Sequence, residues 1–365
     1  MVHMQTDESQ SADVSHWRRL VLSQLNVLLN NASPTYSSLD IRDQLEFVSR
    51  RLIESNVFSS RPTSSTAWWK SNLSDDYSPV EYSLSIKKEA CIVRLAFEPI
   101  GDESDPVNYV APNRWLLDNK YEYDDVSWYN VLSRILCINP SAHNYHSLSP
   151  AACGLTQHLF GLDLHNGKHP LLKMYIFPDA VTRQNSKSEA DYAHEKMRVL
   201  TTAMAAIDLS TPWNKVAKYL DYLREADPEF SGEPEFIGWD ALDPRSARMK
   251  VYVRFSKVTL KDLLSHLDLG GRLKTKHTVE IQHAADELWK VFSGEDDQQL
   301  DIASNDLQDC GQRTRGVIMY YELRKGEPNP KAKCASICFI QVSCFTDAVL
   351  TLQSISLCAT TSLPI

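Results

Sequence analysis

The chain has 365 residues, of which 43% are apolar and 23% charged, a composition typical of a globular protein with a large core. It excludes a collagen-like, coiled-coil or wholly disordered chain. Acidic residues outnumber basic ones by 47 to 38, so we expect no nucleic-acid partner, which would require a basic surface. No apolar run approaches the about 20 residues that cross a bilayer, and the acidic N-terminus lacks a secretory pattern. We therefore expect a cytoplasmic protein with no membrane partner and with eight free cysteines.

Two predicted helices, over residues 15–31 and 39–54, open the chain, because their apolar residues recur at helical spacing. From residue 80 onwards the pattern favours strands, and 80–87 with 90–98 predicts a β-hairpin around a short polar turn. Further hairpins are predicted over 154–178, 232–256 and 316–340, with helices over 189–207, 213–226, 258–267 and 279–293. The chain thus alternates hairpins with helices.

The hairpins repeat at a regular interval. Arg94, Lys173 and Lys250 each fall in the second strand of a hairpin, 79 and 77 residues apart. Hairpins in series predict an antiparallel sheet, and the helices between them would cover one of its faces. Because charged residues on the other face need water or partners, that face should line a wet lumen. The sequence predicts one α+β domain over 1–365: an antiparallel β-barrel with a polar lumen ringed by α-helices.

Basic and aromatic side chains recur on the strand faces predicted to point inward, because residues two apart share a face. Hairpin by hairpin, these are Arg94; Lys173 and Tyr175; and Arg248, Lys250 and Tyr252. A single Lys-x-Tyr is compatible with a solvated strand, but three hairpins with cations in register favour convergence. Several converging cations indicate a polyanionic ligand, and a diphosphate is the natural small one.

Two further residues are candidates for the lumen. Glu81, on the first predicted strand, is either a counter-ion of the cations or a hydrogen-bond acceptor or base for an aromatic substrate. His158 is the one histidine that the pattern offers as a lumen candidate, although a packed or surface position is the favoured interpretation. Asp75 and Asp76 lack the third carboxylate of a metal–diphosphate motif, and no phosphate loop, dinucleotide fingerprint or zinc motif is present. We expect neither a metal nor a cofactor.

Four motifs together resemble a known family. SNLSDDYSPVEYS, CIVRLAFEPIG, KMYIFP and DPRSARMKVYVRF are similar, in order and spacing, to fungal aromatic prenyltransferases of the dimethylallyltryptophan synthase type, from about residue 15 to about 333. The resemblance implies a helix-ringed barrel of about ten strands, the ABBA or PT-barrel. It also implies the transfer of a prenyl group from its diphosphate, a co-substrate, to an aromatic ring without a metal.

The resemblance assigns a role to most of the candidates. It implies that Glu81 binds the acceptor. It implies that four cations bind the diphosphate, namely Arg94, Lys173, Arg248 and Lys250. It also implies that two tyrosines, Tyr175 and Tyr252, shield the allyl cation. The expected ligands are dimethylallyl diphosphate or a longer homologue, and an acceptor that is an aromatic polyketide phenol, slightly favoured, or an indole. The chain is expected to be a monomer or a homodimer.

The end of the chain departs from the family pattern. Residues 334–365 contain one charged residue, Asp347, four of the eight cysteines and no Lys-x-Tyr. A strand over 334–343 is expected to pair with 315–323, and the barrel is expected to be incomplete beyond it. The alternative function is therefore an impaired barrel that binds prenyl diphosphate without turnover, and we expect low activity from this chain.

Overall fold

A computed structural model describes most of the predicted elements. The described residues are 14–32, 35–55, 57–58, 69–74, 77–86, 91–101, 105–122, 124–139, 148–226, 232–255, 257–258, 260–273, 283, 300–301 and 316–338. The predicted helix over 279–293, apart from residue 283, and the chain from residue 339 onwards lie outside this set.

Eight strands form one antiparallel sheet whose neighbours follow chain order. They are β1 (Val80–Ile86), β2 (Cys91–Phe97), β3 (His158–Leu164), β4 (Leu171–Ile176), β5 (Glu233–Asp240), β6 (Met249–Phe255), β9 (Gly316–Leu323) and β10 (Lys331–Cys338). A separate short pair joins β7 (Lys257–Val258) to β8 (Leu300–Asp301). The predicted hairpins are confirmed, and β10 pairs with β9 as expected, although it begins three residues before the predicted strand.

Helices separate the hairpins. They are α1 (Ser23–Asn31), α2 (Ser38–Val48), α3 (Val110–Asn119), α4 (Ser127–Leu136), α5 (Asp179–Asn185), α6 (Glu189–Ala206), α7 (Ser210–Ala226) and α8 (Leu260–Asp268). Short π-helical turns, Arg18–Leu22 and Ser49–Ile53, adjoin α1 and α2. Within the described chain, no helix combines the length and the apolar character needed to cross a bilayer.

The helices cover one face of the sheet. Alternate strand residues such as Val93, Phe160 and Val251 are buried in one hydrophobic core together with helix residues such as Leu132 and Trp213. Because side chains alternate across a strand, the residues between them point to the opposite, concave face. That face carries the charged and aromatic residues of the predicted lumen. The architecture is a curled antiparallel part-barrel with helices outside it, as predicted.

Tyr36 fastens the N-terminal segment to the sheet between β2 and β3. Its hydroxyl accepts a hydrogen bond from the Val93 amide at 2.9 Å and donates one to the Leu164 carbonyl. Both partners are buried, and the tyrosine itself is only 5% exposed. The hydroxyl thus satisfies a donor and an acceptor that would otherwise be buried without a partner.

We expect Tyr36→Phe to lower the free energy of unfolding by about 1–3 kcal/mol, because it leaves a buried amide and a buried carbonyl unpaired. Urea denaturation measures the change. Tyr222→Phe is the matched control, since Tyr222 is 49% exposed on α7. Equal stability of the Tyr36 and Tyr222 variants would contradict this role.

Candidate functional site

A continuous chain of ion pairs crosses the concave face. Arg94 Nε lies 3.0 Å from Asp163 Oδ1, and Asp163 Oδ2 lies 3.2 Å from Lys173 Nζ. Lys173 also pairs with Asp240, whose Oδ2 accepts from Arg248 Nη2 at 2.8 Å. Two of the three cations therefore lie on β2 and β4 and Arg248 immediately precedes β6, whereas the carboxylates lie on β3 and β5 between them.

The chain of charges continues onto β9. Arg248 Nη1 lies 3.9 Å from Glu322 Oε2, and Arg324 Nε donates to Glu322 Oε1 at 2.9 Å. The side chains of Asp240 and Glu322 are only 3% and 2% exposed. Buried carboxylates of this kind remain ionised because cations surround them. The charges of Lys173 and Arg248 accordingly hold the pKa of Asp240 well below its usual range, against the opposing effect of burial.

Lys250 differs from the other cations. Among the described residues no carboxylate lies within ion-pair distance of it, and its Nζ is 5.0 Å from the centre of the Tyr320 ring. Burial lowers its pKa to about 8, helped by the positive charges of Lys173, Arg248 and Arg94. The structure thus brings the four predicted cations to one lumen.

An aromatic wall adjoins the cations. The rings of Tyr252 and Phe236 stack at 4.3 Å, and Tyr252 also contacts Tyr320 and Tyr175, at centroid distances of 5.4 and 6.4 Å. A Cβ at Gly238 would lie 2.4 Å from the Tyr175 ring, so only glycine leaves space for that ring. Both predicted tyrosines therefore face the lumen. Burial raises the pKa of Tyr175 well above its ordinary value, which keeps its hydroxyl protonated.

Glu81 lies on the inward face of β1. In the strand register it is followed by Ala96, Gly161 and Lys173 on successive strands, so two small residues separate it from the nearest cation. The ring of Tyr175 lies over Gly161, where an added Cβ would be 3.2 Å from the ring. Burial raises its pKa to about 7, although the charge of Arg254 on β6 opposes that rise. Arg254 is itself held by Glu235, with Nε donating to Oε2 at 2.7 Å and Nη2 to Oε1 at 3.1 Å.

Glu98 shows what a structural buried carboxylate looks like in this protein. Burial also raises its pKa to about 7. However, it accepts hydrogen bonds from Trp69 Nε1, Asn108 Nδ2 and Thr156 Oγ1, at 2.9, 3.3 and 3.1 Å. Glu81 accepts no hydrogen bond from any described residue, so its carboxylate remains available to a ligand.

The prediction that His158 faces the lumen is wrong. His158 is fully buried on the helix side of β3, where its Nδ1 lies 3.2 Å from the Tyr129 hydroxyl of α4. It shares strand parity with Phe160 and Leu162, which belong to the hydrophobic core, so alternation directs it outward. Burial lowers its pKa to about 3 and keeps the ring neutral.

The sequence pattern did not single out the carboxylates or the second half of the aromatic wall, although it aligns Arg254 with Lys250 and Tyr252 on one strand face. The residues not predicted are Asp163, Asp240, Glu322, Glu235, Phe236 and Tyr320. A usable signal existed, because Asp163 and Asp240 interrupt apolar strands in which aspartate is uncommon. Among the residues that the structure describes, no group of three or more His, Cys, Asp or Glu side chains is arranged to hold a metal ion.

Comparison with known proteins identifies the family. Residues 13–343 match the model of the family described as tryptophan dimethylallyltransferase. The chain belongs to this family. The match begins two residues before the region of resemblance and extends ten residues beyond it, covering all eight strands of the sheet.

Curated relatives are about a quarter identical to this chain over the matched region. A 7-dimethylallyltryptophan synthase of Aspergillus fumigatus is 26% identical over 295 residues, 75% of this chain and 58% of the relative. A 4-O-dimethylallyl-L-tyrosine synthase of Claviceps purpurea is 26% identical over 73% of this chain and 59% of its own length. The chain thus spans about three fifths of the length of these relatives.

Solved structures show the same fold. AnaPT from Neosartorya fischeri superposes with a TM-score of 0.65 at 20% identity, covering 84% of this chain and 72% of its own. NotF, solved in complex with brevianamide F and DMSPP, gives a TM-score of 0.66 at 20% identity, covering 88% and 75%. Both neighbours are prenyltransferase barrels of the predicted ABBA type.

Anion binding in the lumen should depend on the protonation of Lys250. We expect the affinity for inorganic pyrophosphate to fall above about pH 8, by up to about tenfold per pH unit, because the lysine then loses its charge. Below that pH Lys250 stays charged, so its titration no longer changes the affinity for pyrophosphate. Isothermal titration calorimetry across pH 6.5–9.5 measures the effect.

Lys250→Arg should remove the part of the fall in affinity above about pH 8 that is due to the lysine, because a guanidinium stays charged throughout the range. Comparing the two proteins cancels the titration of pyrophosphate itself. Lys218→Arg, at an exposed position of α7, should behave as the wild type. Identical pH profiles for wild type and Lys250→Arg would contradict the role of Lys250.

Proposed function

We propose that the protein is an aromatic prenyltransferase that moves a dimethylallyl or longer prenyl group from its diphosphate to an aromatic acceptor without a metal. The observation that carries the proposal is the row of cations beside an aromatic wall on one concave face. The first feature suits the leaving diphosphate and the second suits the allyl cation. The names of the curated relatives support the same reaction class.

The cations would drive the ionisation of the donor. When the allylic C–O bond breaks, negative charge grows on the diphosphate, and preorganised positive groups stabilise that charge. Arg94, Lys173, Arg248 and Lys250 supply these groups from three adjacent hairpins. Because Lys173 is only 4% exposed, its interaction with the diphosphate is stronger than it would be at the surface.

The aromatic wall would protect the carbocation. Tyr175 and Tyr252 present π faces that attract positive charge, and Phe236 and Tyr320 extend that surface. The wall also excludes water, which would otherwise trap the cation as an alcohol. Since burial keeps the Tyr175 hydroxyl protonated, it does not itself attack the cation as a phenolate.

Glu81 would orient the acceptor and accept a proton. A ring carbon of the acceptor attacks the allyl carbon, one C–C bond forms, and the displaced ring proton leaves to a base. With a pKa of about 7, Glu81 is poised to take that proton near neutral pH. Because the relatives are named for tryptophan and tyrosine, we place an indole first among the acceptors and keep a polyketide phenol as the alternative.

An assay of the purified chain tests the proposal. The protein is incubated with dimethylallyl diphosphate and a panel of indoles, L-tyrosine, cyclic dipeptides and phenols, each with and without EDTA, and products are identified by mass spectrometry. We expect a prenylated aromatic product that persists in EDTA. Pyrophosphate binding without any product would favour the impaired barrel, and strict dependence on magnesium would contradict the metal-free mechanism.

Two variants should separate the roles of donor and acceptor groups. Glu81→Gln should lower turnover by about 10²–10⁴-fold, as loss of a general base does, and leave pyrophosphate affinity within about twofold. It should also remove the rise in rate with pH near 7, because only the ionised carboxylate accepts a proton. Lys173→Ala should instead weaken pyrophosphate binding by about 1.5–3 kcal/mol.

The exposed Glu225→Gln variant on α7 is the control for the glutamate change. If Glu81→Gln abolished pyrophosphate binding, Glu81 would have to be reassigned as a counter-ion of the cations.

A further inference from the structure

Three buried carboxylates in the lumen have no part in the proposed chemistry. Asp163, Asp240 and Glu322 have side chains only 6%, 3% and 2% exposed, and all three contact the cations assigned to the diphosphate or their neighbour Arg324. Negative charges inside a site for an anion oppose binding by simple electrostatics. If the lumen binds an anion, these carboxylates must therefore contribute something that offsets their repulsion of it.

Counting hydrogen-bond donors on Lys173 shows what the carboxylates do. An ammonium group has three N–H donors at tetrahedral angles. Two of them are directed at Asp163 and Asp240. Because these two directions are fixed, the direction of the third donor is fixed as well. The lysine is thus held in one orientation before any ligand arrives.

The arginines are held in the same way. Arg248 directs Nε and Nη2 at Asp240 Oδ2, at 3.2 and 2.8 Å, which leaves part of its planar fork for another acceptor. Arg94 is placed less firmly: its Nη2 donates to Asp163 Oδ2 at 3.4 Å, and its Nε lies 3.0 Å from Asp163 Oδ1 as an ion pair without hydrogen-bond geometry. Each long side chain is therefore ordered in the protein without ligand, so binding need not order it.

The charges still favour an anion. Lys250 has no carboxylate within ion-pair distance among the described residues. The cations of this network are Arg94, Lys173, Arg248, Lys250 and Arg324. Arg324 also lies 3.9 Å from Glu327, and with that pair set aside the other four cations exceed the three carboxylates by about one charge when Lys250 is protonated. The carboxylates thus lower the attraction without reversing it.

We propose that Asp163, Asp240 and Glu322 are positioning residues for a bound diphosphate, since they fix the surrounding cations before the anion arrives. The inference rests on the proposed function for the identity of the anion. A positioning role and a purely electrostatic role predict opposite signs for the loss of one carboxylate. Without Asp240 the lumen is more positive, so electrostatics alone predicts tighter binding, whereas loss of orientation predicts weaker binding.

The test measures the dissociation constant of inorganic pyrophosphate by calorimetry at pH 6. The charge of Asp240 raises the pKa of Lys250, so a pH two units below the Lys250 pKa of about 8 keeps this lysine charged when Asp240 is removed. We expect Asp240→Ala to bind about five- to tenfold more weakly than wild type, because Lys173 and Arg248 must then be ordered by the ligand. Asp240→Asn should recover part of this loss, since its amide oxygen still accepts a hydrogen bond. Asp221→Ala removes the same charge at an exposed site on α7 and should leave binding unchanged.

Equal or tighter binding by Asp240→Ala would overturn the proposal. If that variant fails to fold, Asp163→Ala tests the same direction of change in pyrophosphate affinity, because Asp163 contacts Arg94 and Lys173. Because the titration needs no turnover, wild type that binds pyrophosphate but forms no product contradicts the proposed reaction alone. Wild type that binds no pyrophosphate contradicts both.

Discussion

The arrangement of this protein depends on the pairing of charges on the concave face of its sheet. Charged side chains buried without partners are costly, and here cations of one strand meet carboxylates of the next from β2 to β9. The alternation stabilises a sheet whose lumen would otherwise be strongly positive. It also links successive hairpins through side chains as well as through the backbone.

The same geometry divides the lumen into regions of different chemistry. Cations and carboxylates occupy the positions around Lys173, the aromatic wall surrounds Tyr252, and Glu81 lies beside the small residues Ala96 and Gly161. Each region suits one part of a prenyl transfer: the leaving diphosphate, the carbocation and the acceptor. Strand alternation accounts for their presence on one face, because the residues that form these regions alternate along their strands with residues of the hydrophobic core.

Much of this arrangement follows from the sequence, because hairpin spacing and residue parity are visible in it. The 79- and 77-residue intervals place Arg94, Lys173 and Lys250 in equivalent strands, and the sheet confirms that these strands are β2, β4 and β6, the second strands of three hairpins. His158 was misplaced because β3 is buried along its whole length, so its apolar residues do not reveal which face is inward. The partners of the cations could not be predicted for a different reason. Lys173 and its partner Asp240 are 67 residues apart in the chain, and they meet only through the register between β4 and β5.

The central claim is that the cations and the aromatic wall bind one prenyl diphosphate between them. A crystal structure of the protein with a non-hydrolysable thio analogue of dimethylallyl diphosphate tests this most directly. The account predicts the diphosphate oxygens within about 3 Å of Lys173 Nζ and Lys250 Nζ, with the prenyl carbons against the ring of Tyr175. An analogue bound outside the concave face, or with its diphosphate remote from both lysines, would contradict the account.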